Sequence, residues 1–221
     1  MKSYLNFYQL GNTKYEDVLN LQRNLVEKRI SDNLDDVILV TEHEHVFTVG
    51  RKKDSKANIL DSGSVPIFEI ERGGDVTYHG PGQLVIYPII NLEGINTHLD
   101  FYLRSLEDIV IRTLAKWGIK GTKVKEYTGV WVGDKKIASI GISVKKWVTY
   151  HGIALNINTD MSYFQKINPC GLNSDVMISM KDIIRRDVPI DQVFYYIMKE
   201  FEIEFSRPAR LADKNELEQN G

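Results

Sequence analysis

The sequence has one cysteine, no long apolar run and almost no net charge. Cys170 stands alone among 221 residues, so no internal disulfide can form. Lys and Arg total 28 against 30 Asp and Glu, which leaves no domain-wide basic field to hold a nucleic-acid backbone. No apolar stretch approaches the roughly 18 residues that a membrane-spanning helix needs. These absences disfavour a nucleic-acid-binding protein and exclude a membrane-inserted one.

What is present is the composition of an ordinary globular chain, with 43% hydrophobic and 26% charged residues. The length suits one large domain, which we place at residues 1–210, and the polar residues 211–221 are expected to form a frayed tail. The opening MKSYLNFYQLGN has a lysine but no apolar core of signal-peptide length. Together with the free thiol, this opening favours a cytoplasmic location.

Hydrophobic spacing predicts both helices and strands. Thr13 and Glu16 fit a capping box for a helix that continues to Ile30, a second helix ends at Gly118, and a third begins near Pro189. Strands are predicted at 3–10, 37–41, 46–49, 66–70, 84–90, 129–133, 136–144 and 148–157. The last three are joined by short links and form a meander. The predicted fold class is therefore α+β, with a mixed, mainly antiparallel sheet and flanking helices.

The segment 72–83, RGGDVTYHGPGQ, has too many glycines for a regular helix or a central strand, so we expect a shaped loop. It matches neither the phosphate-binding P-loop nor the dinucleotide-binding fingerprint. Large side chains lie between its glycines, namely Arg72, Tyr78 and His79. This mixture favours the wall of a pocket over a plain surface turn.

Cys170 lies in the tight turn Asn168-Pro169-Cys170-Gly171, where its sulfur can project into a cleft. A thiolate can attack a thioester carbonyl and hold the acyl group, provided that a neighbouring group favours the thiolate. Spacing alone does not choose between Lys136, His79 and His151 for that role.

The run Glu42-His43-Glu44-His45 resembles a metal-binding alternation, but no ligand cluster at zinc spacing supports it. We interpret it as a solvated face and predict no metal site.

Four separated segments resemble the lipoyl(octanoyl) transferase family, also called lipoate-protein ligase B. They are RGGDVTYHGPGQLVIYP from Arg72, GVWVGDKKIASIG from Gly129, HGIALN from His151 with NPCG from Asn168, and Glu42-His43 with VFTVG from Val46. They occur in the family's order between residues 42 and 171. The resemblance implies the fold shared by lipoate ligase A and the catalytic domain of biotin protein ligase.

The resemblance also implies a reaction. An octanoyl group moves from the phosphopantetheine thioester of acyl carrier protein to a specific lysine of lipoyl domains, either in the E2 subunits of 2-oxoacid dehydrogenases or in the glycine-cleavage H protein. This is the step of protein lipoylation that precedes sulfur insertion in lipoate biosynthesis. No cofactor is implied, because the acyl group arrives on the phosphopantetheine of the carrier.

By motif, Cys170 matches the family's acyl-thioester nucleophile and Lys136 the lysine that acts on it. The acyl pocket is implied to be lined by three stretches: Arg72, Gly73, Gly74, Asp75, Val76, Thr77, Tyr78 and His79, then Ser139, Ile140 and Gly141, then Gly152, Ile153 and Ala154.

Two alternatives stay open. An ATP-dependent lipoate-protein ligase of the same fold has a glycine-rich loop that ends in His-Asp, whereas here His79 precedes Gly80. A noncatalytic protein that binds acyl carrier protein or lipoyl domains has no need of Cys170 and Lys136. For an acidic carrier we expect a basic patch at Lys145, Lys146 and Lys166.

Overall fold

The computed structural model describes residues 4–32, 34–93, 99–169 and 173–219. The helices are α1 (Tyr15–Ile30), α2 (Leu99–Ala115), α3 (Met180–Ile184), α4 (Ile190–Phe205) and α5 (Asn215–Gln219). The strands are β1 (Leu5–Thr13), β2 (Val37–His43), β3 (Val46–Val49), β4 (Ile67–Glu69), β5 (Val76–His79), β6 (Gln83–Ile89), β7 (Thr122–Val124), β8 (Tyr127–Val132), β9 (Lys135–Lys145), β10 (Val148–Asn156) and β11 (Ala209–Leu211).

Eight strands form the main sheet in the order β11-β1-β2-β6-β10-β9-β8-β7, and β4-β3-β5 form a small second sheet. In the main sheet β1 runs parallel to its neighbours β2 and β11, and all the other pairings are antiparallel. The prediction of a mixed, mainly antiparallel sheet with flanking helices is confirmed. The predicted meander is β8-β9-β10.

The two faces of the main sheet carry different layers, and β6 shows why. Its residues Leu84 and Ile86 pack with α2 and α4, whereas Val85 and Tyr87 pack with α1. Side chains alternate between the faces of a strand, so a run that is apolar at every position belongs to a sheet covered on both sides. The sheet is therefore the middle of three layers, and α1 covers only part of its face.

Two local expectations differ from the structure. Thr13 does not cap α1 but ends β1, where its hydroxyl lies 2.8 Å from that of Thr41 and its backbone pairs with β2. The cap residue of α1 is Lys14, which makes no side-chain capping bond. The segment 72–83 is irregular except for β5, which forms an edge of the small sheet, and Gln83, which begins β6.

The expected frayed tail is wrong for the described part of 211–219. Strand β11 ends at Leu211 and pairs with β1, and α5 follows it. Ala212 and Leu217 are buried in the cluster beneath α1. These two apolar residues stabilise the segment, although its composition is otherwise polar.

Candidate active site

A cavity of about 390 Å³ opens on the face of the main sheet that α1 covers in part. Its walls come from β6, β9, β10 and the glycine-rich segment. All the predicted pocket residues line it except Tyr78: Arg72, Gly73, Gly74, Asp75, Val76, Thr77, His79, Ser139, Ile140, Gly141, Gly152, Ile153 and Ala154. Lys136 lines the same cavity. The fold thus places residues that lie far apart in the sequence around one cavity.

The floor of the cavity consists of small residues on two paired strands. Ser139 pairs with Ala154, and Gly141 pairs with Gly152, across β9 and β10. A Cβ on Gly141 would lie 3.0 Å from the carbonyl oxygen of Gly73. Glycine at position 141 therefore lets the glycine-rich segment lie directly against β9, where the Gly73 N–H donates to the carbonyl oxygen of Ile142 at 3.1 Å.

The glycine-rich segment is held in place by its own polar groups. Arg72 donates from Nη2 to the carbonyl oxygen of Thr48 at 2.9 Å and to its hydroxyl at 3.0 Å. The Asp75 carboxylate accepts hydrogen bonds from Asn58 and from the Val76 N–H. Burial raises the pKa of Asp75, but these hydrogen bonds and the Lys52 ammonium outweigh it, so the pKa lies below its usual value. Asp75 is therefore a charged anchor in the cavity wall.

Tyr78 faces away from the cavity. It follows Thr77 and precedes His79 in β5, so its side chain points to the opposite face of the strand. Its hydroxyl lies 2.7 Å from His45 Nδ1, and its ring stacks on Tyr163 at 4.9 Å. A Cβ on Gly80 would lie 1.9 Å from the Tyr78 hydroxyl oxygen, so an aspartate at position 80 requires Tyr78 to move.

Lys136 is buried, with 3% of its surface exposed, and a β-bulge sets its direction. Val130 pairs with Ala138 but Trp131 pairs with Lys136, so Ile137 is the extra residue of β9. Ile137 and Ala138 consequently both belong to the core beneath α2 and α4. Without the bulge, alternation from Ser139 would turn Ile137 into the cavity and Lys136 into that core. Because of the bulge, the Lys136 side chain faces the cavity and the Ile137 side chain faces the core.

The Lys136 ammonium lies 5.8 Å from the centre of the Trp131 ring. Pro169 also lines the cavity. Cys170, the predicted nucleophile, lies outside the described residues.

His79 and His151 both line the cavity and both are neutral there. Burial, followed by the proximity of His43, lowers the pKa of His79 to about 3. Burial, followed by the positive charge of Arg72, lowers the pKa of His151 to about 3. His151 also has a positive φ of 58°, a backbone conformation that is uncommon for residues other than glycine. Neither ring supplies a positive charge near neutral pH.

The profile of the family described as lipoyl protein ligase A/B catalytic domain matches residues 14–202. A probable octanoyltransferase of Pyrobaculum arsenaticum is 43% identical over 96% of this chain and 97% of its own. An octanoyltransferase of Caldicellulosiruptor saccharolyticus is 41% identical over 97% of this chain and 94% of its own. This chain belongs to the octanoyltransferase family.

Solved structures place the octanoyltransferase chain in a wider group of folds. A lipoate-protein ligase A bound with ATP has a TM-score of 0.77 at 14% identity and covers 99% of this chain and 92% of its own. An archaeal lipoate protein ligase from Thermoplasma acidophilum, described with its E2 lipoyl domain, has a TM-score of 0.76 at 15% identity over 99% and 90%. A biotin protein ligase from Aquifex aeolicus has 0.55 at 15% identity over 92% and 70%. At these identities the likeness establishes the fold, as the resemblance implied.

Several cavity residues of this octanoyltransferase were not predicted. Tyr15, Val85 and Tyr87 line the cavity, and so does Pro169. Val85 and Tyr87 share one face of β6, and this period of two is legible in LVIYPII. Tyr15 reaches the cavity from the start of α1, which no local pattern indicates.

The residues considered for other roles lie elsewhere. His43 is fully buried in β2, with Nε2 at 2.7 Å from the Tyr87 hydroxyl, so the interpretation of this run as a solvated face is wrong for His43. Among the residues that the structure describes, no group of three or more His, Cys, Asp or Glu side chains is placed to hold a metal ion.

Lys145 pairs with Glu27 at the β9-β10 turn. Lys166 lies 5.9 Å from the centre of the Tyr163 ring. None of the helices within the described ranges is both long and apolar enough to cross a bilayer.

Proposed function

We propose that this enzyme moves an octanoyl group from the thioester of acyl carrier protein to a lysine of a lipoyl domain, through a thioester on Cys170. The acyltransferase activity follows from the family, whose members at 41–43% identity are octanoyltransferases. The observation that carries the residue assignment is the cavity, because its wall contains both Lys136 and Pro169, the residue that precedes Cys170.

The cavity suits a thin, flexible acyl chain. Its floor of small residues leaves space above the sheet, and Val85 and Tyr87, which lie on the same face as that floor, add apolar surface. Burying an acyl chain stabilises the complex by about 0.8 kcal/mol per methylene.

The proposed reaction has two steps. In the first, the Cys170 thiolate attacks the carbonyl carbon of the octanoyl thioester, the bond to the phosphopantetheine sulfur breaks, and that sulfur leaves as a thiol after taking a proton. In the second, the neutral amine of the acceptor lysine attacks the thioester on Cys170, an amide forms, the amine proton passes to Lys136, and Cys170 leaves as the thiolate.

Lys136 is proposed to serve both steps. Its ammonium form favours the Cys170 thiolate, since a nearby cation lowers a cysteine pKa from about 8.5. After giving up a proton to the leaving sulfur, its neutral amine can accept one from the incoming lysine. Transfer from thioester to amide is downhill, so the proposal needs neither ATP nor a cofactor.

The partners and the location belong to the proposal as well. The donor is acyl carrier protein, and the acceptors are the lipoyl domains of 2-oxoacid dehydrogenase E2 subunits and the glycine-cleavage H protein. A cytoplasmic location accords with the single cysteine of the chain. The ATP-dependent ligase is the second candidate because of the shared fold, and Gly80 disfavours it, since Tyr78 occupies the space of a side chain there.

The test is intact-mass analysis of the purified protein after mixing with octanoyl acyl carrier protein, followed by peptide mapping. We expect an octanoyl increment on Cys170 that is discharged when a lipoyl domain is added. Cys170→Ala should acquire none, and Lys136→Met should acquire it slowly. Full transfer by Cys170→Ala, or transfer that requires ATP and free octanoate, would overturn the proposal. Binding of the carrier without turnover would favour the noncatalytic alternative.

A further inference from the structure

Glu107 is a fully buried carboxylate in α2, a helix whose other buried residues are mostly apolar. Its two oxygens accept different hydrogen bonds. Oε2 accepts from Arg104 at 2.7 Å, and Oε1 accepts from the backbone N–H of Gly129 at 2.8 Å. Burying a carboxylate is costly even when it is paired, and Glu107 does not line the cavity. Its location therefore calls for an explanation other than packing.

Gly129 lies directly against the Lys136 side chain. A Cβ at this position would lie 2.6 Å from Lys136 Cε, 3.2 Å from Lys136 Nζ and 2.4 Å from the carbonyl oxygen of Ala138. Gly129 also has a φ of 135°, which residues with a side chain rarely adopt. The lysine thus lies in the space that the missing side chain leaves, with the Trp131 ring as a further neighbour.

The buried N–H of Gly129 has to be paired, and Glu107 is the residue that pairs it. The carboxylate thereby fixes the backbone of β8 on which the Lys136 side chain lies. The bulge at Ile137 fixes the backbone of β9 from which the same side chain starts. The backbone is therefore fixed on both sides of the contact between Gly129 and Lys136, by Glu107 on β8 and by the bulge on β9.

We propose that Glu107 is a positioning residue for Lys136: its buried carboxylate holds the Gly129 backbone in the conformation that leaves room for the lysine. The inference rests on the proposed function, in which Lys136 acts on Cys170. It goes further by assigning a role to a helix residue outside the cavity. A carboxylate that only ties α2 to the sheet would affect stability and nothing else.

The first test compares Glu107→Ala and Glu107→Gln with Glu200→Gln, a second buried helix carboxylate that pairs with Arg112 at 2.7 Å. The readout is the rate of Cys170 alkylation by iodoacetamide as a function of pH, which reports the apparent pKa of the thiol. Glu107→Ala should raise that pKa by about one unit, as expected when a cation moves away from a thiol. Glu107→Gln keeps an acceptor for Gly129 and should retain most of the wild-type profile. Glu200→Gln should lose stability and keep the profile unchanged.

The second test compares Gly129→Ala with Gly133→Ala in the same β8-β9 hairpin. Gly133 also has a positive φ, of 61°, but nothing lies within 4 Å of its Cβ position. Gly129→Ala should slow octanoyl transfer to Cys170 on the order of 100-fold, which is typical for a displaced catalytic group. Gly133→Ala should acylate at the wild-type rate. This pair keeps the inference testable if Glu107→Ala does not fold.

The outcomes separate the inference from the proposed function. If the wild-type protein forms no octanoyl adduct on Cys170, the proposed function fails. If the wild-type protein forms the adduct while Gly129→Ala acylates as fast as Gly133→Ala, the positioning role is wrong. A thiol pKa that is unchanged in Glu107→Ala would also overturn it.

Discussion

Acidification from pH 7 to pH 5 should destabilise this fold strongly, because three buried imidazoles stay neutral in the folded chain. Burial lowers the pKa of His43 to about 4 and those of His79 and His151 to about 3. The same side chains take up a proton near pH 6.5 in an unfolded chain. Between these values the unfolded state binds more protons than the folded state, so stability falls as the pH falls through this window.

The magnitude follows from the size of that window. Each pKa unit corresponds to about 1.36 kcal/mol, and pH 5 lies about 1.5 units below the pKa of an unfolded histidine, which gives about 2 kcal/mol for each ring. Three rings give about 6 kcal/mol, within the total stability of about 5–15 kcal/mol that is usual for a domain. Carboxylates such as Asp75, whose pKa is lowered, take up protons only below this pH range, so they do not contribute to the loss of stability between pH 7 and pH 5.

The assay is urea unfolding, followed by circular dichroism, at pH 7, 6 and 5. His151→Asn should remove about a third of the loss, and asparagine tolerates the positive φ of this position. Val148→Ala removes buried apolar volume from the core and should lower the unfolding free energy equally at each pH. A wild-type unfolding free energy that is the same at pH 7 and pH 5 would refute the reasoning.

Three further predictions concern the cavity and the frame around it. Gly141→Val should slow octanoyl adduct formation about tenfold or more, measured by intact mass, and should also lower the thermal midpoint, because its Cβ would lie 3.0 Å from the carbonyl oxygen of Gly73; an unchanged rate would contradict this. Leu217→Ala should lower the unfolding free energy by about 2 kcal/mol in urea titrations, because Leu217 is buried; no change would mean that the segment is frayed after all. Asp36→Asn should cost about 3 kcal/mol in the same assay, since the buried carboxylate pairs with Arg29 and Arg207; a loss below 1 kcal/mol would contradict this.

Local patterns predicted those parts of the fold whose pairing partners are close in sequence. The meander from Gly129 was predicted because short links join strands of alternating pattern, and α4 because its apolar residues recur at helical spacing. The short helix α3 was not predicted, although Ser179 and Asp182 form a capping box that is readable as S-x-x-D. The pairing of β5 with β3 brings together strands that are about 30 residues apart, and no local pattern contains it.

The candidate site, like the fold, was predicted from the sequence only in part. The large side chains between its glycines predicted that the glycine-rich segment forms a pocket wall, and of those three side chains Arg72 and His79 line the cavity whereas Tyr78 does not. The direction of the Lys136 side chain depends on the bulge in β9 where it pairs with β8. Strict alternation along β9 alone assigns this side chain to the wrong face of the sheet. Tyr78 was assigned to the pocket with its neighbours, because a motif does not say which residues of a strand face the same side.

The floor of the cavity limits how this protein can change over evolutionary time. Ser139, Gly141, Gly152 and Ala154 contribute little more than backbone to that surface, and backbone cannot be altered by substitution. Nearly every amino-acid replacement at these positions adds atoms, so single mutations can shorten or block the space but rarely enlarge it. Descendants of this chain are therefore more easily driven towards smaller ligands than towards larger ones, and a wider cavity requires movement of the strands themselves.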